Sequence, residues 1–244
     1  MIRLILIIIF LFFFFLFSIP IFLIECIIGR INPHARDISS LRIVQWAFKV
    51  ILFLAGTRTT VIGMENIPKD EPVLFVGNHK SNFDTIIAYS RMPNLTGFVA
   101  KKEMEKIPLL NIWMRYVKCL FMDRKNIKEG LKTILKGIEQ IKAGISIVIF
   151  PEGTRTAFDD TMKPFKEGSL KFAEKTGCKI IPMVQNNTPA CMELQSPRIK
   201  KAHTILEFCE PVDLNSLSKE ERKFAGAYVQ KIIEEKYMKN KELV

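Results

Sequence analysis

The stretch IKEGLKTILKGIEQIKAGISIVIFPEGTR, residues 127–155, decides the fold class. Ile127, Leu131, Ile134, Leu135, Ile138 and Ile141 recur at three- and four-residue spacing and make one stripe of a helix. Gly144 follows as its stop signal. Ile145–Phe150 is then a short apolar run of the kind that forms a buried strand, and Pro151-Glu152-Gly153-Thr154-Arg155 turns the chain away. Moving outward, the same rhythm repeats. Val73–Val76, Gly97–Ala100, Cys119–Met122, Ile180–Val184 and Thr204–Phe208 read as further buried strands, with helical patterns between them. The alternation predicts an α/β domain: a largely parallel, mixed sheet flanked by helices, with sites gathered beyond the carboxyl ends of the strands. At the C-terminal end, Glu220–Lys239 places Phe224, Tyr228, Ile232 and Tyr237 on one helical face. No internal repeat, low-complexity linker or second core is visible.

The amino-terminal end is of another kind. Leu4–Ile24 is apolar except for Ser18 and Pro20, and at ~1.5 Å per residue such a helix reaches about 30 Å, the thickness of a bilayer's hydrocarbon core. Phe12–Phe15 lie together, so the segment is apolar on every side, unlike a surface helix. A cleaved signal peptide is disfavoured by the length of the run and the lack of a small-residue cleavage site after it. The segment is therefore expected to be a hydrophobic helical membrane anchor, and Pro20 leaves spanning and re-entrant paths open. Ile38–Leu54 mixes Leu41, Val44, Trp46, Phe48, Ile51 and Phe53 with Arg42, Gln45 and Lys49. It reads equally well as an interfacial amphipathic helix or as a core helix of the α/β domain. His34 is expected in the loop between the two segments. Arg30, Arg36, Arg42 and Lys49 come after the anchor and only Arg3 precedes it, so the positive-inside bias places the rest of the chain on the cytoplasmic side. The division expected is residues 1–57 as membrane-associated helices and 58–244 as the α/β domain.

Composition narrows the function. The 244 residues are 48% apolar and 25% charged, enough for a full core, which excludes a disordered or collagen-like chain. A formal charge of +11 calls for an anionic partner: nucleic acid, membrane surface or phosphorylated substrate. The five cysteines (26, 119, 178, 191 and 209) form no C-x-x-C and no Cys/His pair at zinc spacing, so they read as unpaired thiols in a reducing compartment.

Of the three histidines, His34 and His203 read as solvated. His79 comes directly after the strand Val73–Val76, in Gly77-Asn78-His79-Lys80-Ser81-Asn82-Phe83-Asp84, with an apolar helical run from Ile86. Asp84 is a natural N-cap, but a turn of this length also lets its carboxylate fold back onto the imidazole. A carboxylate on one ring nitrogen fixes the tautomer and raises the basicity of the other, which suits a general base acting on a hydroxyl. The Pro151–Arg155 turn adds backbone N–H groups and a guanidinium able to grip phosphate bidentately. Lys101 and Lys102 follow a third strand end and Arg124 a fourth. Basic groups are thus expected at several carboxyl ends of one sheet.

Asn78-His79-x-x-x-x-Asp84, with Phe150-Pro151-Glu152-Gly153-Thr154-Arg155 about 70 residues later, resembles the paired motifs of the glycerolipid acyltransferases, and most of all the 1-acyl-glycerol-3-phosphate acyltransferase family. Lys101-Lys102-Glu103-Met104 … Ile107-Pro108 … Phe121-Met122-Asp123-Arg124 looks like that family's second block, and Ile180-Ile181-Pro182-Met183-Val184 like its fourth. The resemblance covers roughly Val61–Val184, in order and in register. It implies that His79 is the general base and Asp84 its orienting partner. Arg155 would bind the acceptor's phosphate with Lys101 and Arg124, Gly153 would let the backbone approach, Thr154 would be a further substrate-binding residue, and Glu152 would shape the site. It also implies acyl transfer from a thioester to the free hydroxyl of lysophosphatidic acid, giving phosphatidic acid. Acyl-CoA or acyl carrier protein would be the co-substrate, with no bound cofactor or metal. The oxyanion is expected to meet backbone N–H groups near the Gly153 turn.

Rival readings fit less of the chain. A serine hydrolase using Ser81 lacks a G-x-S-x-G elbow, and His and Ser two residues apart rarely reach attack geometry. No G-x-x-x-x-G-K-[ST] loop supports a nucleotide triphosphatase. A nucleic-acid module accounts for the charge but not for Leu4–Ile24, so no nucleic-acid partner is expected. A non-catalytic membrane scaffold fits charge and anchor but leaves the His79–Asp84 pairing accidental. Glycerol-3-phosphate or another lysolipid remains open as acceptor.

Overall fold

The computed structural model describes residues 1–156 and 160–244. It opens with a helical hairpin, α1 (Ile2–Ile31) and α2 (Pro33–Ala55). The Asn32 side chain accepts the Ala35 N–H at 3.0 Å and Pro33 takes the first helical position, so α2 begins five residues ahead of its apolar spacing. His34 therefore lies exposed in the first turn of α2 and not in a loop. The other end of α2 is capped by Gly56 in the left-handed region, φ 69°.

The first helix is inside out. Phe12 is 64% exposed and Ile2 75%, whereas Ser18 and Glu25 are 0% and 1% exposed. Ser18 accepts the Trp113 indole N–H at 2.9 Å, and Glu25 accepts the Ser39 hydroxyl at 2.6 Å. Ser18 and one Glu25 oxygen are bonded on the protein side while Ile, Leu and Phe cover the outer face, the arrangement expected of a lipid-facing helix. Both helices are long and apolar enough to cross a membrane and are compatible with an anchor. The second is also a core helix: Leu41, Ile51, Leu52 and Ala55 are buried in the same cluster as Phe75, Phe98 and Phe208.

The chain continues as β1 (Thr57–Ile62), β2 (Leu74–Gly77), α3 (Asn82–Tyr89), β3 (Thr96–Lys101), α4 (Leu110–Tyr116), β4 (Leu120–Met122), α5 (Ile127–Lys142) and β5 (Ser146–Ile149). After these come α6 (Lys171–Thr176), β6 (Ile180–Asn186), β7 (Ala202–Phe208), α7 (Lys219–Lys223) and α8 (Ala225–Asn240). Among the described residues the seven strands make one sheet, in the order β1-β7-β6-β2-β5-β3-β4. Every neighbouring pair is parallel except β6–β7, as the mixed sheet expected from the sequence. Alternation along β2 builds both layers: Phe75 faces α2, α3 and α4, while Leu74 and Val76 face α5, α6 and α8. Because β7 runs against β6, the start of β1 and the open end of the α1–α2 hairpin lie at the edge where β2–β6 finish. There Arg3 Nη1 donates to the Leu54 carbonyl at 3.0 Å.

Two helical stripes differ from expectation. Ile138 and Ile141 of α5 are buried, but Ile127 is 90% exposed and Leu131 and Leu135 also face outward. A 16-residue helix runs about 24 Å and outreaches the short strands β4 and β5 beneath it, so its first turns have no sheet to cover. The C-terminal helix breaks at Phe224, which is exposed, and α8 buries Ala225, Val229, Ile233 and Tyr237. Of the expected row Tyr237 is buried and Tyr228 and Ile232 are half-buried against the core, while the other fully buried positions lie one residue beyond Phe224, Tyr228 and Ile232. Small residues set this: the Gly226 N–H approaches Glu167 Oε2 to 2.9 Å, which a bulkier face would prevent.

Candidate active site

Asn78 ends β2 by imitating the strand it leaves. Its side-chain amide exchanges two 2.9 Å bonds with the backbone of Gln185 in β6, which extends the ladder by one residue and then frees the chain to turn. The next N–H, that of His79, donates to Glu152 Oε1 at 2.7 Å. Ser81, not Asp84, is the N-cap of α3. Its hydroxyl accepts the Phe83 N–H at 2.9 Å, and Asp84 at the third helical position accepts the Ser81 N–H at 2.7 Å, a capping box.

This box delivers the carboxylate to the imidazole. Asp84 is fully buried, and its Oδ2 accepts from the N–H groups of Lys80 and Ser81, both at 2.7 Å, and from His79 Nδ1 at 2.9 Å. A carboxylate only accepts, so Nδ1 carries the proton and the Nε2 lone pair is left free. The ring stacks on Phe150 with centroids 4.3 Å apart and planes 12° from parallel, and 19% of the side chain remains exposed. The arrangement presents an oriented proton acceptor to an open face.

The other expected residues converge through shared contacts. Strands β2, β3, β4 and β5 run parallel, so their carboxyl ends share one edge. Glu152, buried after β5, joins that strand end to His79 and also accepts from Thr156 Oγ1 at 3.1 Å and Lys163 N at 3.0 Å. Gly153 turns with φ 72°, strained for any side chain, and its N–H closes on the Phe150 carbonyl at 3.1 Å. That N–H is therefore taken, contrary to any use of it as an oxyanion donor. Arg124, after β4, donates to the Gly153 carbonyl. Thr154, Arg155 and Lys101 are exposed along the same edge. Arg155 Nη1 stands 3.8 Å from Glu193, while Lys101 has no ion-pair partner among the described residues. Beside it Lys102 pairs with Asp123 at 3.2 Å, and the Lys125 backbone N–H, followed by Lys102, holds the Asp123 carboxyl below its ordinary value.

Three residues at the site went unread in the sequence. Lys80 is buried, with Nζ donating to the carbonyls of Thr156 at 3.2 Å and Thr161 at 2.9 Å and lying 5.3 Å from the Tyr237 ring. It ties the segment after Arg155 to the His79 turn; its adjacency to His79 was the one available signal. Glu193 accepts from Ser81 Oγ at 2.7 Å and Asn82 N at 2.8 Å, and Thr188 donates to Asp84 Oδ1 at 2.5 Å. Both lie more than 100 residues from the motif they touch, and nothing local marks them. Ser81 is fully buried, its hydroxyl accepts the Phe83 N–H and donates to Glu193, and His79 is bonded to Asp84 instead, so Ser81 is spent on the helix cap. Among the described residues no group of three His, Cys, Asp or Glu is placed to hold a metal.

The chain belongs to the acyltransferase family, whose family model matches residues 47–186. It is similar to the 1-acyl-sn-glycerol-3-phosphate acyltransferase of Haemophilus influenzae, 30% identical over 222 residues that cover 88% of this chain and 89% of that one. The enzyme of the same name from Borreliella burgdorferi is 39% identical over 140 residues, and that from Saccharomyces cerevisiae 28% over 187. The chain spans only 56% and 60% of the length of these two. Among solved structures it is similar to the 1-acyl-sn-glycerophosphate (LPA) acyltransferase PlsC from Thermotoga maritima. The TM-score is 0.78 at 26% identity, covering 98% of this chain and 97% of that one.

Proposed function

We propose that this chain transfers an acyl group from an acyl thioester, carried on coenzyme A or acyl carrier protein, to the free hydroxyl of 1-acylglycerol-3-phosphate, giving phosphatidic acid. The observation that carries the reading is the 2.9 Å His79–Asp84 bond, with Nε2 open at an edge lined by Lys101, Arg124 and Arg155. His79 Nε2 takes the hydroxyl proton as the oxygen attacks the thioester carbonyl, while Nδ1–H···Asp84 stabilises the imidazolium. The tetrahedral intermediate collapses, the carbon–sulfur bond breaks, and the thiolate recovers the proton from Nε2. The donor is already activated, so no covalent acyl-enzyme is required; placement of two substrates supplies much of the rate. The cations of the edge hold the acceptor's phosphomonoester, and the apolar hairpin keeps the site beside lipid.

The test is a panel of acceptors offered to the protein in detergent with one labelled acyl thioester. Lysophosphatidic acid is expected to be acylated in preference to glycerol-3-phosphate, neutral lysolipids and water. His79→Ala is expected to lose at least ~10²-fold in turnover, the usual worth of a placed base. Retention of more than about a tenth of the activity removes His79 from the role.

A further inference from the structure

The proposed mechanism requires Asp84 to keep one oxygen aimed at His79, and the capping box does not secure that alone. Three donors converge on Oδ2, whereas Oδ1 has a single donor among the described residues, the hydroxyl of Thr188. Both side chains are fully buried. Resting on the acyltransferase reading, we infer that Thr188 is a positioning residue of the reaction: its hydroxyl clamps Asp84 Oδ1 and thereby keeps Oδ2 on the imidazole.

The local fold supports this. β6 ends at Asn186, and Asn187 takes φ 58°, a left-handed conformation that asparagine tolerates better than most residues. Its side chain is held by the His203 carbonyl at 2.9 Å. That reversal aims Thr188 back at α3. Five residues on, Glu193 grips Ser81 and Asn82 from the same segment, so two side chains of one short stretch bind the catalytic turn at separate points. The stretch lies just beyond residue 186, where the family match stops. A buried carboxylate oxygen that loses its only donor is costly to leave unpaired. The carboxylate then rotates toward other donors, and the Nδ1–H bond is the one it abandons most readily. The Lys80 and Ser81 N–H groups are fixed by the helix start, while the imidazole can turn. The Thr188 methyl, packed in the interior, restricts χ1 and fixes the hydroxyl's direction.

The test compares Thr188→Val, which keeps the shape and removes the hydroxyl, with Thr188→Ser, which keeps the hydroxyl, each alone and in an Asp84→Asn background. Thr188→Val is expected to lower kcat about 10–100-fold with both KM values within twofold, and Thr188→Ser to restore most of it. In Asp84→Asn, adding Thr188→Val is expected to cost less than about twofold. A second readout needs no turnover: in protein labelled with ¹⁵N-histidine, the His79 Nδ1–H resonance, assigned with His79→Ala, is expected in wild type and Thr188→Ser and lost by exchange in Thr188→Val. Wild-type kcat in Thr188→Val, an equal loss in the Asp84→Asn background, or an unchanged resonance each overturns the inference; should Thr188→Val not fold, Thr188→Ala is read in the same way. If wild type acylates no acceptor, the functional reading fails, and the resonance still decides the clamp.

Discussion

Arg155 is the residue whose chemistry admits the sharpest test. In the present geometry its guanidinium faces Glu193 at 3.8 Å, too long for a strong pair, and it is 41% exposed, so it is available to an incoming phosphate. A guanidinium binds a phosphomonoester with two parallel N–H groups, and an ammonium cannot copy that fork. Arg155→Lys is expected to lower kcat/KM for the acceptor about 10–150-fold, as for a charged hydrogen bond worth ~1.5–3 kcal/mol, and to leave the acyl-donor KM unchanged. A defect confined to the donor would assign Arg155 to the carrier's phosphates. His79, Asp84 and Arg155 were legible because His79 and Arg155 follow strand ends and Asp84 falls in the first turn of the helix, five residues after His79, a local pattern. Thr188 and Glu193 were not, because what places them at the site is a contact across the fold; a threonine after a strand looks the same whether it meets a carboxylate or water.

Both hairpin helices are long and apolar enough to cross a membrane, yet only the second is built into the core, and a pair of truncations separates them. Removing residues 1–31 takes away the exposed apolar surface of α1 and uncovers Trp113, but spares the buried stripe of α2. Removing residues 1–56 also strips Leu41, Ile51, Leu52 and Ala55 from the core, and large-to-small changes at even one such site cost about 2–5 kcal/mol. The shorter deletion is expected to give a folded protein that no longer sediments with vesicles, the longer one a chain that does not fold. Circular dichroism and co-sedimentation check both; full vesicle binding without residues 1–31 would move the attachment to another element. Elements were legible in proportion to their burial. Strands β2 and β5, buried on both faces, stood out as apolar runs, whereas the edge strand β1, Thr57-Arg58-Thr59-Thr60-Val61-Ile62, alternates polar and half-buried residues and passed unread. The exposed start of α5 is the converse: Ile127 and Leu131 carry a core periodicity where there is no core.

The molecule as a whole should fail first in alkali. Burial pushes the thiols of Cys119 and Cys191 up from 9.0 to about 11 and that of Cys209 to about 12. A raised folded-state pKa means that the native protein holds protons the unfolded chain releases, so this stability is intact below pH 9 and falls as pH climbs through 11 and 12. Each thiol can contribute a slope of about 1.4 kcal/mol per pH unit in that window. Thermal midpoints from pH 8 to 11 are expected to drop steeply above 9, and Cys119→Ala to make the drop shallower; an unchanged slope would show that these thiols do not set it. The inverted helix α1 has its own bearing on how the protein works. It lies along the domain, with its first turn at the edge where His79 opens; on the proposed function, an acceptor held in lipid would reach the site by sliding within the sheet. That encounter would be two-dimensional, and the concentration that governs the rate would be the acceptor's share of the surface. At constant bulk lysophosphatidic acid, diluting mixed micelles tenfold with inert detergent should slow an enzyme working below saturation by nearly tenfold, whereas adding micelles of fixed composition should leave the rate unchanged.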